Sequence, residues 1–184
     1  VPILKWKKGE QEALKNLSES QKSAIIPLIE IVDYNEPEVI FECLNSCFSN
    51  PVYIDTSIAA QDDRDYLALI ARIFKDNSKK IFPVLYYDDF PYFAKSITEV
   101  SEQIAIRVPL PEDIDGPSYS EIFKVIKDFK SNNDTLIDVI LDLNVIAKKH
   151  EANSQLRELK YVLEQFFLDS KSTKNKKYSI IIIN

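Results

Sequence analysis

The feature that most constrains this chain is an alternation. Short runs rich in Ile, Val, Leu and Tyr recur between longer stretches whose apolar residues return every three or four positions. The runs predict strands over 2–5, 24–32, 52–56, 81–87, 104–108, 136–143 and 178–183. Most are apolar almost throughout, as strands covered on both faces are, so parallel pairing is expected. Six helices are predicted between them, over 10–17, 37–48, 62–74, 91–102, 118–129 and 154–168. The second presents Val39, Ile40, Cys43, Leu44 and Cys47, and the third Tyr66, Leu67, Leu69, Ile70 and Ile73. Asp62, Asp63 and Asp65 are expected in the third helix's first turn, where the helix dipole favours acids. Leu156, Leu159, Tyr161, Val162, Phe166 and Phe167 are expected to form the apolar face of the last.

Seven strands and six helices in strict order admit two α/β architectures: a (β/α)8 TIM-barrel-like fold, or an open doubly wound parallel sheet. A dinucleotide-binding first turn needs clustered glycines so that backbone can approach a phosphate. This chain has only Gly9 and Gly116, and Trp6 to Glu10 after the first strand is not G-x-G-x-x-G. The barrel is therefore preferred, as a single domain over 1–184. It is expected to be incomplete and truncated at the C-terminus, because 184 residues fall short of the roughly 200 or more usual for the fold.

Charge and composition exclude further classes. Twenty-nine Asp plus Glu against 23 Lys plus Arg give a formal charge of −6, which argues against nucleic-acid binding by bulk charge. No apolar run approaches the roughly 18 residues of a membrane span, and Lys5, Lys7 and Lys8 interrupt any signal-peptide core. A cytoplasmic location follows by default. Cys43 and Cys47, with His150 the single histidine, do not make up a zinc site, so no metal ligands are assigned and the thiols are read as structural. Neither a His-dependent triad nor a G-x-S-x-G elbow is supported. Glu112 to Gly116 resembles a calcium loop only faintly and reads as a turn, as does the lysine-rich stretch with Lys171, Lys174, Lys176 and Lys177.

In a barrel the C-terminal ends of the strands surround one mouth, where loops vary while the sheet stays rigid. The polar groups at those ends are Lys5, Glu30, Asp55, Tyr86 with Tyr87, Arg107, Asp142 with Asn144, and Asn184. Period-two alternation puts Leu28 with Glu30, Ala105 with Arg107, and Ile140 with Asp142 and Asn144 on common faces. A charge within an apolar run is costly unless paired, so Lys5 and Arg107 are expected to balance the three acids. Lys5, Glu30, Asp55 and Asp142 are the candidate catalytic residues. A pocket lysine serves as base or Schiff-base former where its surroundings disfavour the ammonium. The carboxylates could instead hold a divalent ion that activates water. Arg107, Tyr86 and Asn144 are the candidate ligand-binding residues, the guanidinium fork suiting a carboxylate or phosphate. No cofactor is identified. The same residues also suit a structural ion-pair layer, with Asp55 or Glu30 tying down a loop.

Two functions stand side by side. One is the binding of a small polar or anionic ligand at the strand ends, with or without turnover. The other is a non-catalytic protein-interaction module in phage–host conflict, its polar ring purely structural.

Pro2 to Lys5, then Gly9, Glu10, Ala13 and Leu14, then Pro27 to Glu30, form a P-I-L-K, G-E, A-L, P-L-I-E series. The series resembles the beta protein family, named for a protein of phage T4. The resemblance covers the first thirty or so positions. It implies a phage or bacterial protein and a longer chain than this one, and it carries over no catalytic residues.

Overall fold

Strands form where the apolar runs lie, but most are shorter than the runs. The computed structural model describes residues 1–59, 65–111, 116–144, 148–168 and 178–183. In chain order the elements are β1 (Ile3–Lys5), α1 (Lys8–Lys15), α2 (Glu19–Ser23), β2 (Leu28–Glu30), α3 (Pro37–Cys47), β3 (Val52–Asp55), α4 (Tyr66–Asp76), β4 (Ile81–Tyr86) and α5 (Phe90–Val100). They continue with β5 (Gln103–Pro109), α6 (Tyr119–Ser131), β6 (Leu136–Asp142), α7 (Lys149–Leu168) and β7 (Tyr178–Ile183). The chain forms two compact units, Val1–Ala105 and Ile106–Asn184, the division falling inside β5.

In the first unit β1, β2, β3 and β4 are neighbours in chain order and every pair is parallel, with Ile3, Leu28, Tyr53 and Phe82 side by side. Leu28, Ile29 and Ile54 are wholly buried, as are Ile40 and Leu44 of α3 and Ile70 of α4. Each such side chain stabilises the unit by roughly 1.5–3 kcal/mol relative to exposure. Phe41 meets Phe74 edge to face at 5.1 Å between centroids, joining α3 to α4.

In the second unit the order is β5, β6, β7, and β6 runs parallel to β7 from Ile137 opposite Tyr178 to Asp142 opposite Ile183. Here α6 packs on α7, with Phe123 edge to face on Phe166 at 4.9 Å and Ile126 and Val162 buried. Neither unit shows the reversal of strand order that a doubly wound sheet requires.

Several expectations are corrected. Among the described residues there are seven helices rather than six, because Ser18 and Gln21 form a capping box that starts α2. That helix also takes the first part of the run expected to be β2: Ala24 and Ile25 donate their amides to Gln21 and Lys22 carbonyls, not to a ladder. α4 starts at Tyr66 with Asp65 at its N-cap, so its first turn holds no acid, and Asp62 and Asp63 lie outside the described residues. α7 begins at Lys149, where the Glu151 carboxylate accepts the Lys148 amide at 2.9 Å. Its expected apolar face is only partly buried: Val162 and Phe166 are inside, but Leu156 and Tyr161 are 51% and 50% exposed. Val39 and Leu69 are exposed too, because a helix on a sheet buries one stripe and not every apolar position beside it. Side-chain detail for Phe167, and residues 112–115 and 169–177, where turns are expected, lie outside the described residues. Among the described residues no helix is long and apolar enough to cross a membrane.

Candidate functional site

Parallel pairing sets the site in the first unit. Laterally paired residues of a parallel sheet point to the same face. Lys5 pairs with Glu30, Glu30 with Asp55, and Asp55 with Val84, so the first three stand in one row on three adjacent strand ends. Tyr86 follows Val84 by two positions and therefore shares that face, one step further along. The row differs in exposure. Lys5 is exposed, while Glu30 and Asp55 are buried to 6% and 3% residual exposure. Lys5 makes no ion pair among the described residues.

The row is held by its own backbone. Trp6 donates its amide to the Glu30 carbonyl at 2.7 Å, and Ile31 donates to the Asp55 carbonyl at 2.8 Å. Asp55 Oδ1 accepts the Ser57 amide at 2.9 Å, an Asx turn that ends β3. Above β2, Asn35 and Tyr66 exchange two hydrogen bonds: the Tyr66 hydroxyl donates to the Asn35 carbonyl, and the Asn35 amide donates to that hydroxyl at 3.1 Å. Tyr34 stacks on the Tyr66 ring at 4.7 Å and keeps half its surface exposed. Tyr86 contacts the Tyr87 ring at 4.9 Å.

In the second unit Arg107 Nε and Nη2 both donate to Asp142 Oδ2, at 2.8 and 2.6 Å. Both side chains are largely buried. Asp142 Oδ1 accepts the Asn144 amide at 2.9 Å, and the Leu110 amide donates to the Asp142 carbonyl at 2.7 Å. Asn144 sits at φ 54°, a left-handed conformation that asparagine tolerates, and donates its side-chain amide to the Leu110 carbonyl at 3.3 Å. Gln155 of α7 donates to the Leu143 carbonyl just before it. The expected balance of acid by base is thus realised for Arg107 and Asp142, and two donors of the guanidinium are committed to it.

Asn184 lies outside the described residues. Asp138 is buried at 3% on the same face as Asp142, two alternations earlier in β6, and is absent from the residues that strand ends alone select. The signal is nevertheless in the sequence: an acid in the middle of an apolar run at the same parity. Tyr66 locks the β2–α3 loop with its hydroxyl, a role that periodicity reduces to apolar surface. Cys43 and Cys47 are free thiols. Among the described residues no three His, Cys, Asp or Glu side chains gather closely enough to hold a metal ion.

Fold and site together define a parallel α/β protein whose strands end in polar residues. The chain belongs to the Beta protein family, whose model, described as Beta protein, matches residues 1–174. Comparison with curated proteins and with solved structures gave no match.

Proposed function

We propose that this chain binds a small polar ligand at the C-terminal ends of the first unit's strands, with an anionic group of the ligand on Lys5 and its hydrogen-bond donors toward Glu30 and Asp55. The observation that carries the reading is the row itself: an exposed ammonium beside two buried carboxylates on consecutive strand ends. Tyr86 lies on the same face and offers a ring and a hydroxyl at the edge of the row. If the ligand is turned over, Lys5, Glu30 and Asp55 are the groups placed for proton transfer. Arg107, Asp142 and Asn144 position the second unit's strand ends by holding one another.

The finer fold assignment is part of the same proposal: a (β/α)8-barrel type, supported by strands that follow chain order and carry polar groups at one end. A phage or bacterial origin accords with the P-I-L-K and P-L-I-E residues of the family, and a cytoplasmic location with the lysines that interrupt the apolar residues of the opening segment.

The test is an isotope-labelled NMR titration of the wild type against a panel of small carboxylates, amino acids and sugars. Saturable shifts at amides 5–7, 30–31 and 55–57 are expected, lost in Lys5→Ala and Asp55→Asn. A panel that leaves those amides unmoved, or shifts that persist in both variants, would overturn the proposal.

A further inference from the structure

The first unit has a concavity at the opposite ends of its strands from Lys5, Glu30 and Asp55. A cleft of about 320 Å³ opens beside Ile81 and Gln103, the first residues of β4 and β5, where α4 and α5 finish. That volume falls within the roughly 300–1,000 Å³ of small-molecule sites.

Three lysines line it: Lys75 at the end of α4, and Lys79 and Lys80 in the turn to β4. The turn is fixed by its backbone. Ser78 adopts φ 57° and donates its amide to the Lys75 carbonyl at 2.9 Å, and the Lys79 amide donates to the Phe74 carbonyl at 2.8 Å. Two of the ammonium groups are also placed: Lys75 Nζ donates to the Glu99 carbonyl at 3.1 Å, and Lys80 Nζ stands 5.1 Å from the centre of the Phe82 ring. Among the described residues none of the three lysines meets a carboxylate, and the Lys79 ammonium has no partner. In a chain with 29 acids and 23 bases, three lysines on one wall without an ion pair among the described residues are a local reversal of sign.

Opposing charges do not cancel it. Glu102 also lines the cleft and contributes one negative charge. The carbonyl ends of α4 and α5 add about half a charge each, and Lys75 answers the second directly. Three ammoniums against these leave a positive balance. The Ser101 and Thr98 hydroxyls donate to backbone carbonyls of Gln103 and Lys95, and Lys79, Lys80 and the Ser78 hydroxyl are among the donors left to the cleft.

We propose that this cleft binds a phosphate group, held by Lys79, Lys80 and Ser78. A dianion gains more from several ammonium groups than a single carboxylate does, and lysines bind phosphate as point charges without needing the guanidinium fork. The proposal is independent of the strand-end site.

The experiment titrates the labelled chain with inorganic phosphate and, separately, with glycerol 3-phosphate, sodium chloride holding the ionic strength constant. Saturable shifts are expected at amides 78–81 and 101–103. Affinity read at those amides should fall by about tenfold or more in the Lys79→Gln, Lys80→Gln double variant. Tighter binding of the ester identifies a phosphorylated small molecule as the ligand, and equal binding identifies the free anion. Failure of both probes to saturate, or shifts of equal affinity in the double variant, overturns the site.

Discussion

Asp55 and Asp142 perform the same local task in the two units. Each ends a strand, and each turns Oδ1 back to accept the amide two residues on, from Ser57 and from Asn144. The other oxygen of Asp142 takes two guanidinium donors of Arg107, from Nε and Nη2. Asp142→Ala removes a largely buried partner from that guanidinium and is expected to lower unfolding stability by about 3 kcal/mol or more in urea titrations, while Arg107→Met with Asp142→Leu recovers most of the loss. Asp55→Asn keeps an oxygen for the Ser57 amide and is expected to cost under about 1 kcal/mol, against about 1–3 for Asp55→Ala. These positions are legible in the sequence because each is a charged residue ending an apolar run. The pairing of Arg107 with Asp142 is not: it depends on which strand ends come within reach, and sequence alternation reports only the face of a residue, not its lateral neighbour. Asp138 is open to the same parity argument that finds Asp142.

At the scale of elements, caps decide where sequence reading succeeds or fails. The box from Ser118 to Glu121 starts α6 one residue after Ser118, so the predicted start at 118 is close. The equivalent box from Ser18 to Gln21 carries no long apolar stripe behind it, and without that stripe periodicity misses α2 and the true start of β2. Apolar content alone does not separate Ala24 and Ile25 from the strand, since their amides serve the preceding helix. Ser118→Ala is expected to destabilise by about 1 kcal/mol through the lost N-cap. Hydrogen bonds from the Ser118 hydroxyl and then its amide hold the Glu121 carboxyl below the ordinary glutamate range. A folded-state value below the unfolded one means that this contribution is present above the unfolded value and is lost as pH falls through the folded one. Protection of the first-turn amides of α6, taken relative to the intrinsic exchange rate at each pH, should therefore fall at acid pH, and Glu121→Gln should abolish that pH dependence of protection. Core packing outweighs capping: Phe123→Ala, which strips the edge-to-face contact with Phe166, is expected to cost about 3–5 kcal/mol in thermal or urea unfolding.

For the molecule as a whole, alternation of period two and period 3.6 is sufficient to establish a parallel α/β protein, because continuous apolar strands need cover on both faces. The net charge of −6 predicts that the chain passes through immobilised DNA unretained at physiological salt. The central claim concerns the row formed by Lys5, Glu30 and Asp55, which consecutive parallel strands deliver to one face. The most direct measurement is a crystal structure of the chain soaked with the carboxylate, amino-acid and sugar panel. The account predicts ligand density within hydrogen-bond reach of Lys5 Nζ and of the Glu30 or Asp55 carboxylate. A row left bare by every soak, with the Lys5 ammonium closed onto Glu30, would contradict it.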